Sequence, residues 1–149
     1  MTPDVRLREV DETDLPTFFE HQRDPEANRM ANFAARTRED FDRHWHAILR
    51  NGSGVVRTIE SSGSVIGNVV SWAHDAERDV GYWIGREHWG RGFATAALAA
   101  FLEELPARPL YAHVAAHNLG SIRVLEKCGF ERVGASSIDG VDELLFRLG

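Results

Sequence analysis

The run from Val80 to Leu102 constrains the fold more than any other part of the chain. VGYWIGREHWGRGFAT followed by AALAAFL reads as an apolar strand, a glycine-punctuated turn and an alanine-rich helix. Ala94, Leu98, Phe101 and Leu105 recur at three- and four-residue spacing, and alanine and leucine are strong helix formers. Gly90 and Gly92 allow positive φ or a close ligand approach without a Cβ clash. The first amides of the helix have no intrahelical acceptor and lie at the positive end of its dipole, and Arg91 adds a full charge there. Such a corner suits a phosphate or pyrophosphate. An ordinary strand–helix turn would carry the same glycines.

Two nucleotide-loop patterns fail on the letters. A G-x-x-x-x-G-K-[ST] loop would need Lys-Ser/Thr after Gly90, where Arg91-Gly92 stands. A G-x-G-x-x-G fingerprint would need a third glycine, and Gly90-Arg91-Gly92 is followed by Phe93-Ala94-Thr95.

At 149 residues the chain reads as one domain with a real core, and 43% hydrophobic residues with four tryptophans exclude disorder. The net charge of −6 and pI near 5.6 provide no basic stripe for nucleic acid. That balance suits a cationic partner such as an amine, or serves solubility alone. Cys128 is the single cysteine, so neither an internal disulfide nor a cysteine metal cage forms. The opening Met1 to Arg6 has no apolar h-region, and the run Ala96–Leu102 falls short of the roughly 20 residues of a membrane span. A soluble, cytoplasmic monomer or homodimer is expected.

In chain order, Val5–Arg8 alternates as a short strand. Thr13-Asp14 reads as the cap of a first helix with Leu15, Phe18 and Phe19 inward, broken at Asp24-Pro25. Glu26–Met30 follows as a second helical piece; Thr37 then caps a third helix striped by Phe41, Trp45, Ile48 and Leu49 and closed by Asn51-Gly52. Strands at 55–60 and 64–72 flank the Ser61-Ser62-Gly63 turn, and Asp75–Arg78 turns into the central strand. Pro106 and Pro109 end the central helix, so Leu110–Val114 lies parallel to the central strand through a right-handed crossover. Asn118 opens a last helix closed by Gly129, and Phe130–Gly134 and Val141–Leu148 are the closing strands. The architecture is a mixed α/β sheet, antiparallel first and parallel in the middle.

The pair GYWIGREHWGRGFATAAL and AHVAAHNLGSIRVLEKCGF resembles the GNAT N-acetyltransferases, in particular their RimJ/RimL-like branch. The family's [RQ]-x-x-G-x-[GA] falls on Trp89 to Ala94, with tryptophan first; N-x-x-S-x-x-V-L-E-K-x-G-F runs from Asn118 through Ser121 to Gly129-Phe130. The resemblance implies the family's acyl-CoA fold, with a splayed parallel pair at its centre and acetyl-CoA as donor. On it, amides of Arg91, Gly92, Phe93, Ala94 and Thr95, beside Trp89 and Gly90, hold the pyrophosphate. Tyr82, Trp83 and Ile84 offer main chain to the pantetheine and the thioester carbonyl, and Asn118 bonds the pantetheine arm. The loop between Asp24 and Phe33 walls an acceptor pocket.

Attack of an amine on a thioester needs a neutral amine, an oxyanion donor and a proton for the leaving thiolate. The tyrosine that many members use for the proton aligns with Leu125, which has none to give. Ser121 is therefore the candidate beside the sulfur, though Asn118 and Ser121 also read as helix cap and third helical residue. The RimL-like branch often carries a carboxylate just before the Gly-Tyr of the central strand, so the resemblance implies Asp79, with Glu77 nearby, as the candidate base; Asp139, Asp142 and Glu143 are rivals, as is a water relay. Cys128 lacks a sequence-adjacent histidine base for a covalent role, and His44, His46, His113 and His117 have no metal-ligand spacing. Trp45, Trp72 and Trp83 read as core. An acetyl-CoA-dependent N-acetyltransferase acting on a primary amine, a protein N-terminus or a small amine, is the leading reading. The missing tyrosine keeps a second one, a non-catalytic acyl-CoA-binding module.

Overall fold

The computed structural model describes residues 3–52 and 54–149; Met1 and Thr2, which open the stretch read for a leader, lie outside the described residues. Strands β1 (Arg6–Arg8), β2 (Val55–Ser61), β3 (Ser64–His74), β4 (Glu77–Ile84), β5 (Leu110–Ala115), β6 (Glu131–Ile138) and β7 (Val141–Leu148) form one sheet in the order β1-β2-β3-β4-β5-β7-β6. Every neighbouring pair is antiparallel except β4 and β5. Helices α1 (Leu15–Gln22), α2 (Pro25–Ala31) and α3 (Arg38–Arg50) precede β2; α4 (Phe93–Glu104) joins β4 to β5, and α5 (Leu119–Lys127) follows β5. None of the described helices is long and apolar enough to cross a membrane.

Local chemistry places the turns. Ser62 and Gly63, and again Asp139 and Gly140, adopt left-handed φ of 51° and 79°, and 52° and 78°. Two consecutive positive φ values are what a tight hairpin needs to follow the strand twist. The second hairpin turns later than expected: Ser136 and Ser137 pair with Glu143 and Asp142, so β6 runs to Ile138 past a bulge between Arg132 and Gly134. At the N-terminus Asp14, of the expected Thr13-Asp14 pair, is the N-cap residue of α1 but makes no side-chain cap bond; the side-chain cap comes earlier, from Asp11. Asp11 accepts from the Thr13 amide while Asp14 accepts from the Asp11 amide, a reciprocal box that starts a short 3-10 turn ahead of α1.

Strand alternation divides the core. On one side Ile59, Ile66, Val69, Val80 and Ile84 pack with Leu98 and Phe101 of α4, Leu125 of α5, and Phe130 and Phe146. On the other, Leu15, Phe18, Phe41 and Trp45 of α1 and α3 cover Val56, Val65 and Val70. Each such side chain contributes about 1.5–3 kcal/mol on burial. Trp45 is core as expected, but Trp72 is 39% exposed. Its indole lies over Gly81, where a Cβ would stand 3.4 Å from the ring, on a stretch of sheet outside the α1–α3 cluster.

The pairing at the middle positions the site. β3 runs alongside β4 from Glu77 to Ile84, and β5 pairs with β7 from Leu110 to Ala115. Between them β4 and β5 share one registered pair, Asp79 with Tyr111. Beyond it the two strands have no ladder, so the sheet splits toward the C-terminal end of β4.

Candidate functional site

The split opens into a cleft of about 410 Å³. Tyr82, Trp83 and Ile84 form its β4 wall, Asn118 and Ser121 its α5 wall, and Ala27, Met30 and Ala31 of α2 a third side. Backbone groups on the β5-facing edge of this stretch of β4 lack strand partners, and such an edge accepts an extended amide-bearing ligand as it would another strand. α2 is tethered across this region from both ends. The His117 Nε2–H donates to the Arg29 carbonyl at 2.8 Å, and Arg86 pairs with Asp24 at 3.3 Å.

The turn into α4 closes one end. Gly90 and Gly92 have φ of 77° and 81°, a conformation that leaves the chain free to turn back into the helix where an L side chain would be strained. α2, α3 and α5 carry side-chain caps from Asp24, Thr37 and Asn118, whereas α4 begins at Gly92 with none. Its first intrahelical bond is from the Ala96 amide to the Gly92 carbonyl at 3.1 Å, so the amides of Phe93, Ala94 and Thr95 remain donors toward the cleft they line. Trp89 and Gly90 also line the cleft; Arg91, exposed between the two glycines, does not. The Trp89 indole N–H donates to the Ile84 carbonyl at 2.9 Å, so that carbonyl of the expected pantetheine edge is already engaged.

On α5, the Asn118 side chain accepts from the Ser121 amide at 3.2 Å, so Asn118 caps the helix and lines the cleft at once. The Ser121 hydroxyl is not spent on capping. It lies 2.6 Å from the phenolic oxygen of Tyr82, which is also 3.3 Å from the Ser121 carbonyl. Burial above all pushes the Tyr82 phenol up to about 12, against the opposing effect of the Ser121 hydrogen bond. Sequence reasoning valued Tyr82 for its main chain and missed its side chain. Leu125, the position without a tyrosine, is buried in the core. Cys128 is half-buried with its thiol against the Thr95 carbonyl, and burial raises its pKa, which leaves no activated nucleophile.

The carboxylates sort themselves. Asp79 is 3% exposed at the registered β4–β5 pair and outside the cleft lining, with Oδ2 3.7 Å from His113 Nε2. The Nδ1–H of the same imidazole donates to Glu143 at 3.0 Å. One histidine thus stands between the candidate base and one of its rivals. Glu77 and Asp142 are exposed, and Asp139 occupies the β6–β7 turn. His113 was read only for metal spacing; β-strand alternation puts it on the side opposite the buried Ala112 and Val114, but its neighbours follow from strand register alone. Trp83 is partly buried, its indole N–H on the His21 carbonyl at 3.2 Å and its ring edge-on to Phe33.

Comparison with known proteins agrees with this geometry. Residues 4–131 match the family model described as acetyltransferase (GNAT) domain. The chain is 28% identical over 123 residues to the probable N-acetyltransferase YjcK of Bacillus subtilis (strain 168), a match covering 77% of this chain and 65% of that protein. Spermidine N-acetyltransferase from Vibrio cholerae, solved with CoA and spermine, superposes with a TM-score of 0.84 at 19% identity over 97% of this chain and 94% of that one. Mycobacterium smegmatis RimJ, solved with CoA-disulfide, gives 0.76 at 24% identity over 97% and 81%.

Proposed function

The chain belongs to the GNAT acetyltransferase family, and on that premise we propose that it transfers the acetyl group of acetyl-CoA to a primary amine by direct attack in a ternary complex. The carrying observation is that the ladder-free stretch of β4 and the uncapped start of α4 open on one cleft. A diphosphate sits at the amides of Gly92 to Thr95 with the Arg91 charge nearby, and pantetheine runs along Tyr82–Ile84 toward Asn118 and Ser121. Main-chain donors fixed before reaction stabilise the oxyanion that develops on the thioester carbonyl.

In that arrangement the amine nitrogen forms the C–N bond, the C–S bond breaks, and its electron pair leaves on sulfur. The proton lost by the nitrogen passes through water and the His113–Glu143 pair to Asp79, which is buried outside the cleft lining, and the Ser121 hydroxyl hydrogen-bonds the departing thiolate. Asp79 and Glu143 make the acceptor side anionic, which favours an ammonium-bearing substrate. A protein N-terminus, as the RimJ/RimL-like resemblance of the sequence implies, and a small polyamine, as the spermidine enzyme suggests, both fit that chemistry.

Free-thiol release from acetyl-CoA, measured with the purified protein against a panel of small amines and N-terminal peptides, tests the reading. Amine-dependent release supports it. Tight CoA binding with no release across the panel would instead support the binding-module reading, which the leucine at position 125 favours. No CoA binding would refute both.

A further inference from the structure

Two hydroxyls face each other in the cleft, and only one of them has an evident partner for chemistry. The Tyr82 phenol reaches from β4 to α5, 2.6 Å from Ser121 Oγ, the short end of the range for O–H···O bonds. Both residues line the cleft, and Leu125, one helical turn on from Ser121, is buried in the core and carries no proton. A serine hydroxyl has one hydrogen and rotates to suit its surroundings, so alone it aims that hydrogen weakly.

Resting on the function proposed above, we propose that Tyr82 is a positioning residue that donates its phenolic hydrogen to Ser121 Oγ and so turns the serine hydrogen toward the sulfur of the departing thiolate. Either oxygen of the 2.6 Å pair can donate, and the phenol also lies 3.3 Å from the Ser121 carbonyl; once sulfur accepts the serine hydrogen, the phenol, a stronger acid than an alcohol and closer to Ser121 Oγ than to that carbonyl, is the donor of the pair. With its pKa pushed up to about 12, the phenol keeps its hydrogen at any ordinary working pH and never competes as an anion with the thiolate. No covalent step passes through Tyr82. When the C–S bond breaks, sulfur keeps the electron pair, the Ser121 O–H stabilises the resulting charge, and the thiolate takes its proton from water on release. Hydrogen bonding to the charged form lowers a pKa, so the same pair makes the thiol of bound CoA more acidic than that of free CoA.

The test titrates CoA bound to the protein by the ultraviolet absorbance of its thiolate, alongside steady-state turnover. Tyr82→Phe keeps the ring and its packing. It is expected to reduce the acid dissociation constant of the bound thiol about tenfold and kcat by a similar factor, with CoA affinity changed less than about twofold. Ser121→Ala is expected to do the same, and the double variant no more than either single one. Unchanged thiol ionisation and turnover in Tyr82→Phe would overturn the proposal, as would additive effects, which mean independent roles. Failure of the wild-type protein to bind CoA would overturn the cleft reading beneath it, a distinct result.

Discussion

Gly67 lies behind the cleft, yet replacing it should damage the cleft. It pairs with Ile84 in the β3–β4 ladder, and a Cβ built there would come 2.2 Å from the Trp83 carbonyl oxygen and 3.1 Å from Ile84 Cα. An ordinary contact begins near 3.4 Å, so β4 must retreat by about 1 Å, and the obstacle is backbone, not a side chain that can swing aside. Gly67 does not hold a left-handed φ, so alanine suffers no dihedral strain of its own. Overpacking of this kind costs about 1–3 kcal/mol. The alanine also lowers the entropy of the unfolded chain, worth about 0.4–1 kcal/mol in the other direction. A net loss of about 1–2 kcal/mol remains, which in a chain of this size lowers Tm by about 2–8 °C. Because the displaced atoms belong to the β4 wall, acetyl transfer should fall by on the order of ten- to a hundredfold. Calorimetric melting and the thiol-release assay measure both. Gly52→Ala is the control, since a Cβ there meets nothing within 4 Å and Tm should stay within about 1–2 °C. Wild-type Tm and turnover in Gly67→Ala would refute the close approach and with it the position of β4.

Gly92→Val forces a β-branched residue into a φ of 81° and should reorient the first α4 amides, raising the CoA dissociation constant on the order of tenfold or more by titration calorimetry. Gly92→Asn, which tolerates that φ, should lose much less, and normal CoA affinity in the valine variant would remove the diphosphate from this corner. Buried Asp14 accepts two hydrogen bonds from Arg8, one from the Asp11 amide and one from Thr58 at 2.8–2.9 Å. Burial is the strongest single influence on its carboxyl and pushes it up, but those donors together hold it below the usual carboxylate value. A depressed folded pKa stabilises above the unfolded value and loses that contribution as pH falls through the folded one. Asp14→Ala should therefore cost about 3 kcal/mol in urea unfolding at neutral pH, a gap constant above about pH 4 and closing below it. A gap independent of pH would assign the loss to packing instead.

Most of the fold was legible because its elements declare themselves locally. The β2–β3–β4 meander followed from period-two runs and a Ser-Gly turn, and the β4–α4–β5 crossover from the glycines and the two prolines. Where the reading slipped, a partner decided that the residue's own type does not name. Asp11 outcompeted Thr13 for the first cap because Asp14 could answer its amide, and Ser136 and Ser137 became strand because β7 offered carbonyls and amides to pair with. Trp72 escaped the core because burial depends on what covers a strand face, which the strand's own letters do not record.

The same distinction explains which parts of the site could be read. Gly90, Gly92 and Asn118 are needed for backbone shape, so each leaves a mark in its own neighbourhood: a positive φ, or a cap three residues before its donor. Tyr82 with Ser121, and Asp79 with His113 and Glu143, bring together residues 39 and 30 or more positions apart, joined by strand register and helix rotation. Alternation along β4 shows that Tyr82 shares a side with Val80 and Ile84 but not that α5 presents a hydroxyl there. One shift of register at Asp79–Tyr111 would turn His113 to the other face and break the link to Asp79, while leaving every motif intact. Motifs therefore indicate where the donor should lie, and cross-strand register decides which side chains can handle protons beside it.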